Sequence, residues 1–182
     1  MNKIERFYFL KYINAAYQIS FAENAVNTQE YLSKLISFFR YYFNEQEKLV
    51  RLKEELKQVE LFSEIHRLMS GKKINLVFDV QEDVNNVYMS ANSISRCIQD
   101  ITINTNISEV INWCLEIKGF IEEHNAFIII SMNYIRSGDA LSSNILALKD
   151  ILGQNFEGPL DINYSFDADS KIEIRIKIPV QN

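Results

Sequence analysis

Five glycines and two prolines among 182 residues are too few for a fibrous or low-complexity chain, and they handicap any function that needs a glycine-rich phosphate loop. The two cysteines, Cys97 and Cys114, lack metal-ligand spacing and sit in apolar surroundings, so they read as buried free thiols rather than a disulfide or a zinc site. No apolar run approaches the roughly 18 residues that span a bilayer. Met1 leads into the charged stretch Asn2-Lys3-Ile4-Glu5-Arg6 with no apolar signal region, so the chain reads as cytoplasmic with no membrane segment. A basic excess is also missing. Net charge is -5, and residues 71–182 carry 9 Lys/Arg against 15 Asp/Glu, so the second half repels polyphosphate backbones and argues against nucleic acid as a partner.

What is present is apolar periodicity: hydrophobic residues are 47% of the chain, enough for a substantial core. Phe7, Leu10, Ile13, Tyr17 and Phe21 recur at helical steps, which predicts a first helix over about Ile4 to Ala25. Asn27 with Glu30 three residues on has the form of a capping box before Tyr31, Leu32, Leu35, Ile36, Phe39 and Phe43, so a second helix should pair with the first as an antiparallel hairpin. A third helix runs through Leu52, Leu56, Val59, Phe62, Ile65 and Met69, with Lys53-Glu54-Glu55 on its outer side, and ends at Ser70-Gly71.

The period then changes. Ile74, Leu76, Phe78 and Val80 alternate as a half-buried strand does. A helix follows over Ser93 to Asn104, then strands near Val110 to Ile117 and Phe127 to Met132 about a turn at Glu122 to Asn125. Leu141, Ile145, Leu148 and Leu152 make a further helical stripe, and Leu160 to Phe166 with Ile172 to Ile178 make a closing hairpin. The expected architecture is α+β: a helical module over residues 1–70, then a two-layer sandwich over residues 71–182.

Residues 35–104 resemble the internal region of sensor histidine kinases of the LytS and YesM type. Phe39-Arg40-Tyr41-Tyr42-Phe43 followed by Leu49-Val50-Arg51-Leu52-Lys53-Glu54-Glu55-Leu56 is similar to that family's "LLRYSL" and "VTLxEEL" at the same spacing. Val59-Glu60 and Ile65 continue it, Gly71 to Val80 stands where the family has its first ATPase-domain strand, and Asn144-Ile145 and Ile178-Pro179 resemble its later helix and closing strand. The resemblance implies a four-helix dimerisation bundle joined to an ATPase domain of the histidine-kinase class.

It also implies lost chemistry. Phe7-Tyr8-Phe9-Leu10 places Tyr8 where the family's phosphoaccepting His falls. A phenol with a pKa near 10 cannot stand in for an imidazole that attacks as a neutral nucleophile near pH 7. The magnesium-binding "ENAIxHG" helix falls on Gln99-Asp100-Ile101-Thr102-Ile103-Asn104, so Asp100 is a relic ligand and Gln99 replaces the Glu. Asn133-Tyr134-Ile135-Arg136 stands for the adenine-reading "DNGxG", and Asp139-Ala140-Leu141-Ser142 for the phosphate-covering "GxGL" before Asn144. Neither has the glycines that open a backbone to a ligand.

The expected protein is therefore a pseudokinase-like adaptor in two-component signalling with no cofactor, unless residual Mg²⁺-ATP is held through Asp100 and Asn144. Its expected partners are a second copy, through a seam of Leu35, Phe39 and Phe43, and a response regulator or another signalling protein. Two alternatives stay open: a phosphotransferase using an exposed His66 or His124, and an ATP-binding switch that transfers nothing. Against the first, lone histidines are more often structural, with His66 as a solvated helix-face residue and His124 in the polar turn Glu122-Glu123-His124-Asn125. The aromatic run from Phe38 to Phe43 has no interleaved basic patch and reads as bundle core rather than a base-stacking platform. Trp113, with Ile111 and Leu115, reads as sheet core.

Overall fold

The computed structural model describes residues 3–44, 49–104, 113–134, 160–165 and 170–179. Helices α1 (Lys3–Ala22) and α2 (Val26–Asn44) form the expected hairpin. The connection is tighter than the sequence predicts. α1 stops at Ala22, and Asn24 takes a left-handed backbone (φ 55°), a conformation that asparagine tolerates better than most residues. Ala25 N–H then donates to Ser20 O at 2.9 Å, and the Gln29 side chain reaches Ser20 O at 3.1 Å. Asn27 thus lies inside the first turn of α2 and does not cap it. Phe9 of α1 meets Phe39 and Phe43 of α2 edge-on, with ring centroids 4.8 and 5.9 Å apart.

Strand β1 (Leu49–Arg51) leads into helix α3 (Leu52–Ser70), which ends as expected at Gly71: φ is 72° and its N–H bonds Arg67 O at 2.9 Å. Strand β2 (Ile74–Val80), a short 3-10 turn (Val84–Asn86) and strand β3 (Tyr88–Ser90) follow. β3 pairs antiparallel with β1. Helix α4 (Ser93–Asn104) has the predicted bounds. Strands β4 (Trp113–Glu122) and β5 (Asn125–Tyr134) form a hairpin, and β6 (Leu160–Ser165) pairs with β7 (Ser170–Pro179). The five-stranded sheet has the order β2-β4-β5-β7-β6, with only the β2–β4 pair parallel.

β4 runs further than the expected Val110 to Ile117, and residues 110–112 lie outside the described residues. Its second half is made possible by Gly119, which pairs with Val80 across the parallel ladder. A Cβ there would stand 2.9 Å from Val80 Cγ1 and 3.0 Å from Val84 Cγ1, closer than real carbons pack. The helix expected around Leu141 to Leu152, Asn144 included, also lies outside the described residues.

One face of the sheet carries both α3 and α4. Leu52, Leu56 and Val59 of α3 join Ile94, Cys97 and Ile98 of α4 over Ile74, Leu115, Ile117, Ile128, Ile130, Met132, Ile174 and Ile176 in one buried cluster. The periodicity change at Ser70 to Lys73 therefore marks the end of a helix that shares its core with the sheet. α3 also holds α2, through Phe38 against Phe62 (centroids 6.5 Å apart) and ion pairs of Lys34 with Glu64 and Glu30 with Arg67. Cys97 is buried and Cys114 half-buried.

Candidate functional site

Tyr8 stands on the outer face of α1, 47% exposed. Its ring stacks on Tyr12 at 6.2 Å, meets Phe7 edge-on at 5.6 Å, and has the Lys11 ammonium 5.9 Å from its centroid. Neither histidine is near α1 in sequence. Of the expected seam residues, Leu35, Phe39 and Phe43 are half-buried, and both phenylalanines pack on Phe9 of the same chain. The strongly exposed apolar residues of the hairpin are Val26 at the start of α2 and, on α1, Phe7, Tyr12, Ile19 and Phe21, each more than half exposed.

Asp100 lies about two turns into α4, and Asn144 and the Asp139 to Ser142 segment lie outside the described residues. Gln99, one residue before Asp100, spends its amide on Ser95 O at 3.0 Å and has no ionisable group with which to activate a nucleophile. Among the described residues no cluster of three His, Cys, Asp or Glu side chains could hold a metal ion.

A buried carboxylate of α3 holds the first turn of α4. Glu55 was expected outward with Lys53 and Glu54, and it is fully buried. Glu54 does turn outward and back, accepting the Arg51 N–H at 3.0 Å as a capping-box glutamate. The Glu55 carboxylate instead lies against the first turn of α4. Oε1 accepts Asn92 N–H at 2.6 Å, and Oε2 accepts Ile94 N–H at 3.1 Å and Ser95 N–H at 3.4 Å. The Tyr41 hydroxyl of α2 donates to Oε1 at 2.8 Å.

These are the N–H groups a helix leaves unpaired at its start, at the end where its dipole favours a negative charge. Burial pushes the Glu55 carboxyl above its usual range, opposed by the hydrogen bonds from Asn92, Tyr41, Ser95 and Ile94. Asn92 adds a left-handed backbone (φ 65°) and a side-chain bond to Tyr42 O at 3.4 Å. Ser93 Oγ donates to Ser90 O at 2.6 Å.

His66 is 6% exposed, which corrects the expectation of a solvated helix-face residue and removes it as an accessible phosphoacceptor. Its ring faces Phe62 and its Nδ1 lies 3.3 Å from Ser70 Oγ. His124 is exposed in the turn between β4 and β5. Burial, with a smaller push from the Lys72 charge, holds His66 below its ordinary 6.5. The unfolded chain therefore binds more protons between that lowered value and 6.5, so this contribution to stability is present above 6.5 and is lost as pH falls through the lowered value. In urea melts at a series of pH values, His66→Gln should flatten the fall in midpoint just below 6.5. An undiminished slope in the variant would assign the effect to another group.

The helical hairpin, the layer of α3 and α4 and the mixed sheet together make a histidine-kinase-like fold. A family model described as histidine kinase matches residues 2–74, spanning the hairpin and α3. Among solved structures, the histidine kinase AdeS of Acinetobacter baumannii superposes with a TM-score of 0.50 at 18% identity, over 97% of this chain and 96% of that one. The histidine kinase domain of the blue-light activated kinase of Erythrobacter litoralis reaches 0.46 at 10% identity, over 92% and 84%. No curated protein matches the chain in sequence. No helix among the described residues is long and apolar enough to cross a membrane.

Proposed function

We propose that this chain is a catalytically inactive histidine-kinase-like protein of the LytS and YesM type, serving as an interaction adaptor or regulator in bacterial two-component signalling. The observation that carries this reading is Tyr8, exposed on α1 at the position where the resemblance puts the phosphoacceptor. A phenol there offers no neutral nitrogen nucleophile. Of the two histidines, His66 is buried on α3 and His124 sits exposed in the turn between β4 and β5, so the phosphotransferase alternative rests on His124 alone. Family-like surfaces then engage a second copy and a response regulator or an active kinase.

Incubation with radiolabelled ATP and Mg²⁺ should leave no acid-labile label on the purified protein. Label that His124→Ala or His66→Ala abolishes would overturn the reading in favour of phosphotransfer. Calorimetry separates the remaining alternative. With neither glycine motif in the sequence, ATP should bind more weakly than about 10 μM, equivalent to roughly -7 kcal/mol. Tighter binding would assign the chain to the nucleotide switch.

A further inference from the structure

We infer that Tyr41, Glu55 and Asn92 form a polar link through which the packing of the helical hairpin controls the order of α4. Among the described residues, two hydrogen bonds from the end of α2 lead to the first turn of α4. Tyr41 and Tyr42 are successive residues near the end of α2; one donates its hydroxyl to Glu55 Oε1 at 2.8 Å, and the other accepts from the Asn92 side chain at 3.4 Å. Glu55 passes the connection on at once, because the same Oε1 that accepts the Tyr41 hydroxyl also accepts Asn92 N–H, while Oε2 accepts Ile94 N–H and Ser95 N–H. β1 leads from α2 into α3 and pairs with β3, the strand that runs into α4, so the backbone follows the same route as the side chains. α4 is the helix that carries Asp100. A shift of α2 that withdrew the Tyr41 hydroxyl would leave a buried carboxylate short of a donor and loosen its hold on the α4 amides. The link operates whether or not the chain transfers phosphate.

Hydrogen exchange on the full chain tests it. Phe9→Ala loosens α1 on α2 without touching α4, and it should raise amide exchange at residues 92–98 by about tenfold, the scale of one hydrogen bond to a charged group. In the Tyr41→Phe background the same replacement should change exchange there by less than about twofold, because the link is already cut. An unchanged α4 on Phe9→Ala, or an equal rise in both backgrounds, would overturn the inference. If Phe9→Ala loses its helical circular dichroism, Phe9→Leu supplies the milder perturbation and the same comparison decides.

Discussion

Replacing Glu55 by alanine should lower stability by about 3–5 kcal/mol, against the roughly 5–15 kcal/mol that a domain typically possesses. The buried carboxylate is the common partner of three backbone N–H groups and one hydroxyl, so its removal leaves the three buried backbone donors without an acceptor. With an ordinary urea dependence this is a fall of about 2 M in the midpoint. The neighbouring Glu54→Ala is the internal control. It loses one exposed capping bond to Arg51, and should cost about 0.5–1 kcal/mol. Equal effects at the two positions, or an unchanged midpoint in the Glu55 variant, would mean that the α4 amides find other partners.

The second large effect is on association. Two copies of the hairpin should pair at micromolar concentration, and Ile19→Glu should weaken that pairing by at least about 100-fold, or 2.7 kcal/mol. Tyr8, Tyr12 and Ile19 fall on one stripe of α1, the last two 67% and 58% exposed. Burying such side chains is worth about 1.5–3 kcal/mol each before association costs, and burying an unpaired carboxylate reverses the sign. Phe39→Glu is the less informative variant, since Phe39 also packs on Phe9 and its charge would disrupt folding and pairing together. Light scattering over a dilution series decides: a monomer mass throughout ends the idea, and a dimer indifferent to Ile19→Glu moves the seam off this stripe.

Periodicity made much of the architecture readable. α4 and β2 stand where Ile94 with Ile98, and Ile74 to Val80, announce a helix and a strand, because each element buries one face on a single core. Two things were harder to read, for physical reasons. Gly119 has the look of a strand end, yet Leu115, Ile117, Gly119 and Ile121 keep period two, and the glycine is there to let Val80 and Val84 approach. Glu55 falls at i+3 from Leu52 and i−4 from Val59, the middle of the buried stripe, so its position was legible while its charge argued for solvent. Only the four donors waiting at α4 and Tyr41, distant in sequence, reconcile the two. Periodicity put Tyr8 on the first helix and the resemblance put it at the acceptor position, whereas its exposure needed the fold.

The single parallel pair in the sheet sets an order of events. β4 and β5 meet across a two-residue turn, a closure that takes microseconds, and β6 with β7 is nearly as local. β2 can join β4 only after the chain between them, residues 81–112 with α4 inside it, has come round, which carries a greater entropic penalty than either hairpin. β2 is one of the sheet's two edge strands, and it waits for this closure as β7 waits for residues 135–169 to come round to β5. Until α3 and α4 dock, the inner faces of β4 and β5, with Leu115, Ile117, Ile128 and Ile130, stand uncovered. The hazard of aggregation during folding is therefore governed by how fast those two helices close over a hairpin that is already made.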